Sequence, residues 1–151
     1  MKLKRKNVGM SFIETTIVIG ILALIATLSM SSFINFAKSE ALKSNTSAIV
    51  SGLREARSKT LASVGGSQFG VKVDNDRFTS FQGSTFSSST PGNVTFMFSS
   101  YVRATSSIGT FVFSKLTGNS SASGTIAVYI PSDLSIKKTV SVQTTGLVNS
   151  Q

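Results

Sequence analysis

The 151-residue chain contains no cysteine, no histidine and no tryptophan. Without cysteine there is no disulfide framework, and thiolate zinc and redox sites are excluded. Without histidine the chain lacks the commonest general base and the commonest metal ligand. Acids are scarce as well: Glu14, Glu40, Glu55, Asp74, Asp76 and Asp133 stand against fifteen Lys and Arg. Only Asp74 and Asp76 lie close together, on either side of Asn75. That pair is the one source of paired-carboxylate chemistry or of a calcium site. A turn is the better reading, because Asp and Asn bond their own backbone in turns. Two carboxylates also fall short of the six to eight oxygens that calcium takes. No G-x-x-x-x-G-K-[ST] phosphate loop is present. The composition argues against an enzyme, and no catalytic residue, cofactor or metal is expected.

Neither of the two prolines falls between Met10 and Ala62, where only Gly20 and Gly52 weaken a helix. Charge is also missing from Thr15 to Ala37, a run long enough to span the hydrocarbon core of a bilayer. Four cations, Lys2, Lys4, Arg5 and Lys6, precede it and favour retention of the N-terminus in the cytoplasm. Between them stands Gly9-Met10-Ser11-Phe12-Ile13-Glu14. Glu14 is thus a lone carboxylate at the mouth of a membrane-length segment. A carboxylate at a bilayer centre costs about 2.5–3.5 kcal/mol on insertion scales, and less near the interface. Some interaction must offset that cost. A secretory signal peptide and a plain signal anchor both fit the basic-then-apolar order, but neither accounts for Glu14 or for the boundary at Gly9.

The second part of the expected helix is amphipathic. Leu42, Ile49, Leu53 and Ala56 recur at helical spacing, with Lys43, Arg54, Glu55 and Lys59 off that stripe. A continuous helix from Met10 to Ala62 would be ~80 Å long at 1.5 Å per residue. Ser63-Val64-Gly65-Gly66 then supplies a stop, with glycine able to take a left-handed cap. Beyond Gly66, runs rich in Val, Ile, Phe and Thr alternate with Ser/Gly/Asn clusters, the mark of short strands and turns. Strands are expected at 68–73 and 77–82, as a hairpin across Asp74-Asn75-Asp76, and at 93–98, 110–116, 125–130 and 138–144. In these, Val94, Phe96 and Phe98 share a face, while Ile126, Val128, Ile130, Val140 and Val142 point inward. Segments 83–92 and 101–109 are expected to be exposed loops. A helix followed by strands predicts an α+β fold: a long N-terminal helix, membrane-spanning in its first half, packed on an antiparallel β-sheet domain.

The basic leader ending in Gly9, the apolar helix and Glu14 as the fifth residue after that glycine resemble the type IV pilin and pseudopilin family. Two residues differ from the usual pattern: Met10 where Phe is common and Ser31 where most members have Pro. Ser31 implies no proline-driven break in the helix. Ala37-Lys38-Ser39-Glu40-Ala41-Leu42, Leu53-Arg54-Glu55-Ala56-Arg57-Ser58, Gly70-Val71-Lys72-Val73 and Arg77-Phe78-Thr79 are similar to the GspH/FimT-type minor pseudopilins, as is the ending with Ile136-Lys137-Lys138 and Gly146.

The resemblance implies a leader, 1–9, cut by a prepilin peptidase between Gly9 and Met10, with N-methylation of Met10. It implies a transmembrane and filament-core helix at 10–37, an amphipathic continuation at 38–64 and a β domain at 65–151. It also implies that Glu14 meets the Met10 amine of a neighbouring subunit during assembly. The protein would be a single-pass inner-membrane subunit with its globular domain outside the cytoplasm, working in type II secretion or a type IV pilus. Its partners would be other pseudopilin or minor pilin subunits, the peptidase, the membrane and secreted cargo. A second reading, also found among FimT-like members, is DNA binding during uptake, with Arg103, Lys115, Lys137 and Lys138 as the phosphate-binding residues. On their own these cations, and Arg54, Arg57 and Lys59 on the helix, read as solvated surface. Cleavage at Gly9 would leave the chain a net charge of +5 from its original +9.

Overall fold

A computed structural model of the chain describes residues 10–151, apart from the side chains of residues 28–31; the leader, including Gly9, lies outside the described residues. Helix α1 runs Phe12–Leu61, passing position 31 without interruption. Eight strands follow: β1 (Phe69–Val73), β2 (Arg77–Gln82), β3 (Val94–Met97), β4 (Arg103–Ser106), β5 (Thr110–Val112), β6 (Gly124–Ile130), β7 (Asp133–Val142) and β8 (Val148–Ser150). The described chain divides into two compact units, 10–37 and 38–151. The second unit holds all the strands, arranged as two four-stranded sheets in the orders β3-β2-β1-β5 and β4-β6-β7-β8. Every pairing is antiparallel.

The helical stripe drives the packing of this unit. Leu42, Ile49, Leu53 and Ala56 are buried, as their spacing predicts, and Val50 joins them. They share one core with Val71, Val73, Phe78 and Phe111 of the first sheet and with Ala104, Ile126, Val128, Ile130, Val140, Val142 and Val148 of the second. The alternation in β6 and β7 is the period-two pattern of strands buried on one face. Gly52 lies against the first sheet: a Cβ there would meet Cε2 of Phe78 at 2.6 Å. This glycine costs helix propensity and is retained by packing.

The structure departs from the expected layout in four places. There are two sheets rather than one. Segment 101–109 is not wholly loop but contains β4, and β8 adds a further strand at the chain's end. Arg103-Ala104-Thr105-Ser106 and Val148-Asn149-Ser150 carry too few apolar residues to alternate visibly; they are strands because β6 and β7 offer ladders to pair with. In β3, Val94 and Phe96 share the predicted face, but Phe98 alone of the three is buried. β3 is a sheet edge, and Phe96 stacks on Phe78, ring centroids 5.3 Å apart, while staying half open to solvent. Finally, loop 83–92 folds back, with Phe86 edge-on to Phe81 at 5.4 Å. Phe81 fits on that outer face because its cross-strand neighbour is Gly70, where a Cβ would lie 2.6 Å from Phe81 Cζ.

Polar side chains fasten the helix to the sheets. The buried Thr60 hydroxyl donates to Ala56 O at 2.8 Å and accepts from Phe69 N at 2.9 Å, tying the helix end to the start of β1. Asn45 donates to Ala41 O and accepts from Ser99 N. Arg57 donates from Nε to Gly118 O and from Nη2 to Thr145 O, and Arg54 donates to Val148 O. Arg57 therefore holds the β5–β6 and β7–β8 connections and Arg54 the start of β8, so neither is merely solvated. Gly118 and Gly146 both have positive φ at this junction, and a Cβ on Gly146 would fall 2.0 Å from Gly118 O. The helix ends at the predicted stop, with Gly65 and Gly66 in the left-handed conformation (φ 58° and 63°), and a serine joins them. Ser63 itself takes the left-handed conformation (φ 51°), followed by a short 3₁₀ turn, Val64–Gly66.

Thr60→Val keeps the shape of the side chain but leaves the Phe69 N–H without an acceptor; urea unfolding followed by circular dichroism should show a loss of about 1–3 kcal/mol, recovered in Thr60→Ser. Gly146→Ala requires a strained backbone and displaces the Gly118 carbonyl that Arg57 holds. The same measurement should show a loss of about 1–3 kcal/mol from the backbone alone.

Candidate functional site

The first unit carries the most unusual chemistry. Residues 10–27 are all exposed, and α1 is long and apolar enough there to cross a membrane. The hydroxyls within it are satisfied internally. Thr15 and Thr16 donate to the carbonyls four residues back, Ser11 O and Phe12 O, and Thr27 donates to Leu24 O at 2.8 Å. This back-bonding lets threonine sit in a lipid-facing helix, where an unpaired hydroxyl is costly. Glu14 lies in the first turn, where a carboxylate is favoured by the helix dipole. It stands three residues after Ser11, the spacing of a capping box. Yet its carboxylate makes no hydrogen bond and no ion pair among the described residues. Met10 precedes the helix and is exposed. Its bond to Gly9 lies outside the described residues.

In the second unit the predicted phosphate-binding cations fall in different places. Arg103 opens β4 and pairs across the ladder with Tyr129 of β6, which pairs in turn with Lys137 of β7. These three residues share the outer face of the second sheet, since directly paired residues point the same way. The Arg103 guanidinium also donates to Val102 O at 2.7 Å. Lys138 pairs with buried Val128 and so belongs to the opposite face. Lys115, between β5 and β6, is not on this row; its ammonium donates to Gly66 O just past the helix.

Asp74 and Asp76 line one open groove, but each carboxylate is engaged by its own cation. Asp74 pairs with Lys72 at 3.3 Å. Asp76 receives two hydrogen bonds from Arg77, at 3.0 and 3.2 Å, which hold its carboxyl below the usual carboxylate range. The turn between them does structural work: Asn75 O accepts from Ala104 N and Asp76 O from Phe98 N, docking the β1–β2 hairpin on the neighbouring strands. Two other features were silent in the sequence. One is the arginine clamp of Arg54 and Arg57, whose targets are backbone carbonyls far along the chain. The other is the β6–β7 hairpin tip, where Asp133 accepts from both N and Oγ of Ser135 and is likewise held below its ordinary range.

No family model matches the chain, and no curated protein matches it by sequence. Solved structures do match in three dimensions. The type IV minor pilin FimU of Pseudomonas aeruginosa (strain PAO1), in two crystal forms, superposes with TM-scores of 0.61 and 0.59 at 12% and 13% identity. These cover 77% and 73% of this chain and 92% of the pilin chain in each case. The minor pseudopilin EpsH from the type 2 secretion system of Vibrio cholerae superposes with a TM-score of 0.57 at 14% identity, covering 73% of this chain and 95% of EpsH. A long N-terminal helix packed on antiparallel sheets, matched over nearly the whole of both relatives, shows that this chain has the type IV pilin-like fold of the minor pilins and minor pseudopilins.

Proposed function

We propose that the protein is a minor pseudopilin or minor pilin, a structural subunit that joins a type II secretion or type IV pilus assembly through its N-terminal helix. The observation that carries this reading is the Glu14 carboxylate, which has no partner among the described residues and stands at the entrance of an exposed apolar helix. In lipid a carboxylate is tolerated only when paired. Cleavage between Gly9 and Met10 creates an ammonium on Met10, four residues before Glu14. Within one chain Met10 lies at the helix start, and on a neighbouring copy displaced along the helix axis the same group becomes available to Glu14. The pairing sets the axial register of adjacent helices. A prepilin peptidase makes the cut and methylates the new amine. The chain sits in the cytoplasmic membrane by one pass, with residues 38–151 outside the cytoplasm facing other subunits or cargo. The force for assembly comes from a separate motor.

Glu14→Ala should insert in the membrane as well as the parent chain does, but fail to copurify with partner subunits when these are coexpressed. Normal copurification of the alanine variant overturns the pairing role.

A second reading, DNA binding in uptake, is favoured by the Arg103–Tyr129–Lys137 row, which sets two cations either side of an aromatic ring on one sheet face. Under it, the chain retards DNA at low salt, and Lys137→Ala weakens binding with little dependence on base sequence. Absence of retardation at low salt removes this reading.

A further inference from the structure

The β6–β7 hairpin ends in a tip whose exposed side chains suit a lipid surface. A two-residue turn, Pro131-Ser132, joins Ile130 to its partner Asp133, and the register then jumps so that Tyr129 pairs with Lys137. Leu134, Ser135 and Ile136 have no partner on β6 and form a bulge. Leu134 is 67% exposed and Ile136 42%. The bulge is held in shape, because Asp133 Oδ1 accepts from Ser135 N at 3.0 Å and from Ser135 Oγ at 2.6 Å. Two apolar side chains are thus presented from an ordered support.

The position of the tip says what covers it. Lys38 Nζ donates to Ser132 Oγ at 3.0 Å. Lys38 directly follows Ala37, the last residue of the uncharged run, and is the residue at which the chain enters the second unit. Whatever direction residues 10–37 take, the hairpin tip is within the reach of one lysine side chain from the point where the apolar segment ends. The charges agree. Lys38 lies against the tip, Lys137 closes the bulge on the outer face of the sheet and Lys138 follows on the other face, while the acid at the tip, Asp133, is engaged by Ser135 and lies in the field of Lys38. Apolar side chains flanked by lysines are the composition of a surface that lies in the headgroup region, its apolar part buried about 5–10 Å.

We infer that the tip of the β6–β7 hairpin, through Leu134 and Ile136 with Lys38, Lys137 and Lys138 around them, is a second membrane contact that rests in the outer surface of a bilayer containing anionic lipid. This rests on the reading of α1 as a membrane anchor. The contact fixes the height and rotation of the sheet domain above the membrane before the subunit is drawn into an assembly. Extraction of the subunit must then break it.

The absence of tryptophan makes the test clean. The full chain is reconstituted in phosphatidylcholine–phosphatidylglycerol vesicles as three single-tryptophan variants: Leu134→Trp at the tip, Leu116→Trp at a site 89% exposed elsewhere on the domain, and Leu24→Trp in the anchor. Acyl chains brominated near the headgroup should quench Leu134→Trp and shift its emission to the blue, leaving Leu116→Trp unaffected. Leu24→Trp should be quenched best by bromines nearer the chain ends. Quenching of Leu24→Trp with none at Leu134→Trp overturns the tip contact and leaves the anchor standing. No quenching at Leu24→Trp removes the anchor reading and the inference with it. A blue shift at Leu134→Trp that depends on protein concentration and not on bromine shows a second copy on the tip, and also overturns the proposal.

Discussion

Neither sheet of this protein can bury its inner face without the stripe on α1. Leu42, Ile49, Leu53 and Ala56 stand fully or nearly fully out of solvent, and the inner residues of both sheets converge on them. A four-stranded sheet with one apolar face needs such a partner, because an isolated sheet leaves that face in water. The helix meets the need twice over, and the remaining fastenings are polar. Thr60, Asn45, Arg54 and Arg57 spend their hydrogen bonds on backbone groups of β1, the β3–β4 connection, the start of β8 and the β5–β6 and β7–β8 connections. Removing the stripe would leave these bonds with nothing to align them.

The same helix answers to a different solvent over residues 10–27. There every side chain is exposed; the threonines bond their own helix, while Glu14 has no partner among the described residues. One secondary structure thus carries two unlike surfaces. The amphipathic part is satisfied within the chain by its sheets. The apolar part has no such cover among the described residues, and under the proposed function lipid and other helices supply it. Its lone carboxylate makes that cover specific, since an ammonium satisfies it and hydrocarbon does not.

The sheet domain has its own unfinished surfaces. The edge strand β3 leaves Val94 and Met97 exposed, and the hairpin tip leaves Leu134 and Ile136 exposed. Exposed edges and apolar tips are features that soluble monomers tend to blunt. Under the proposed function, they are where the domain's neighbours are distinguished.

The sequence by itself determined the elements whose physics is local. Uncharged length, helical spacing and the lone Glu14 define the helix and its two characters, because periodicity and charge act on each residue where it stands. Alternation was equally plain in β6 and β7, whose inward residues are those the pattern names. Only the tertiary structure decided the rest. β4 and β8 are too polar and too short to announce themselves, and exist because another strand offers them a ladder. Arg54 and Arg57 look like surface charges until the chain's end folds under them, and Gly52 looks like a weakness until Phe78 packs against it. The division into two sheets, the Arg103–Tyr129–Lys137 row and the meeting of Lys38 with Ser132 all join residues distant in sequence. Their energies depend on pairing across the fold, which no local pattern encodes.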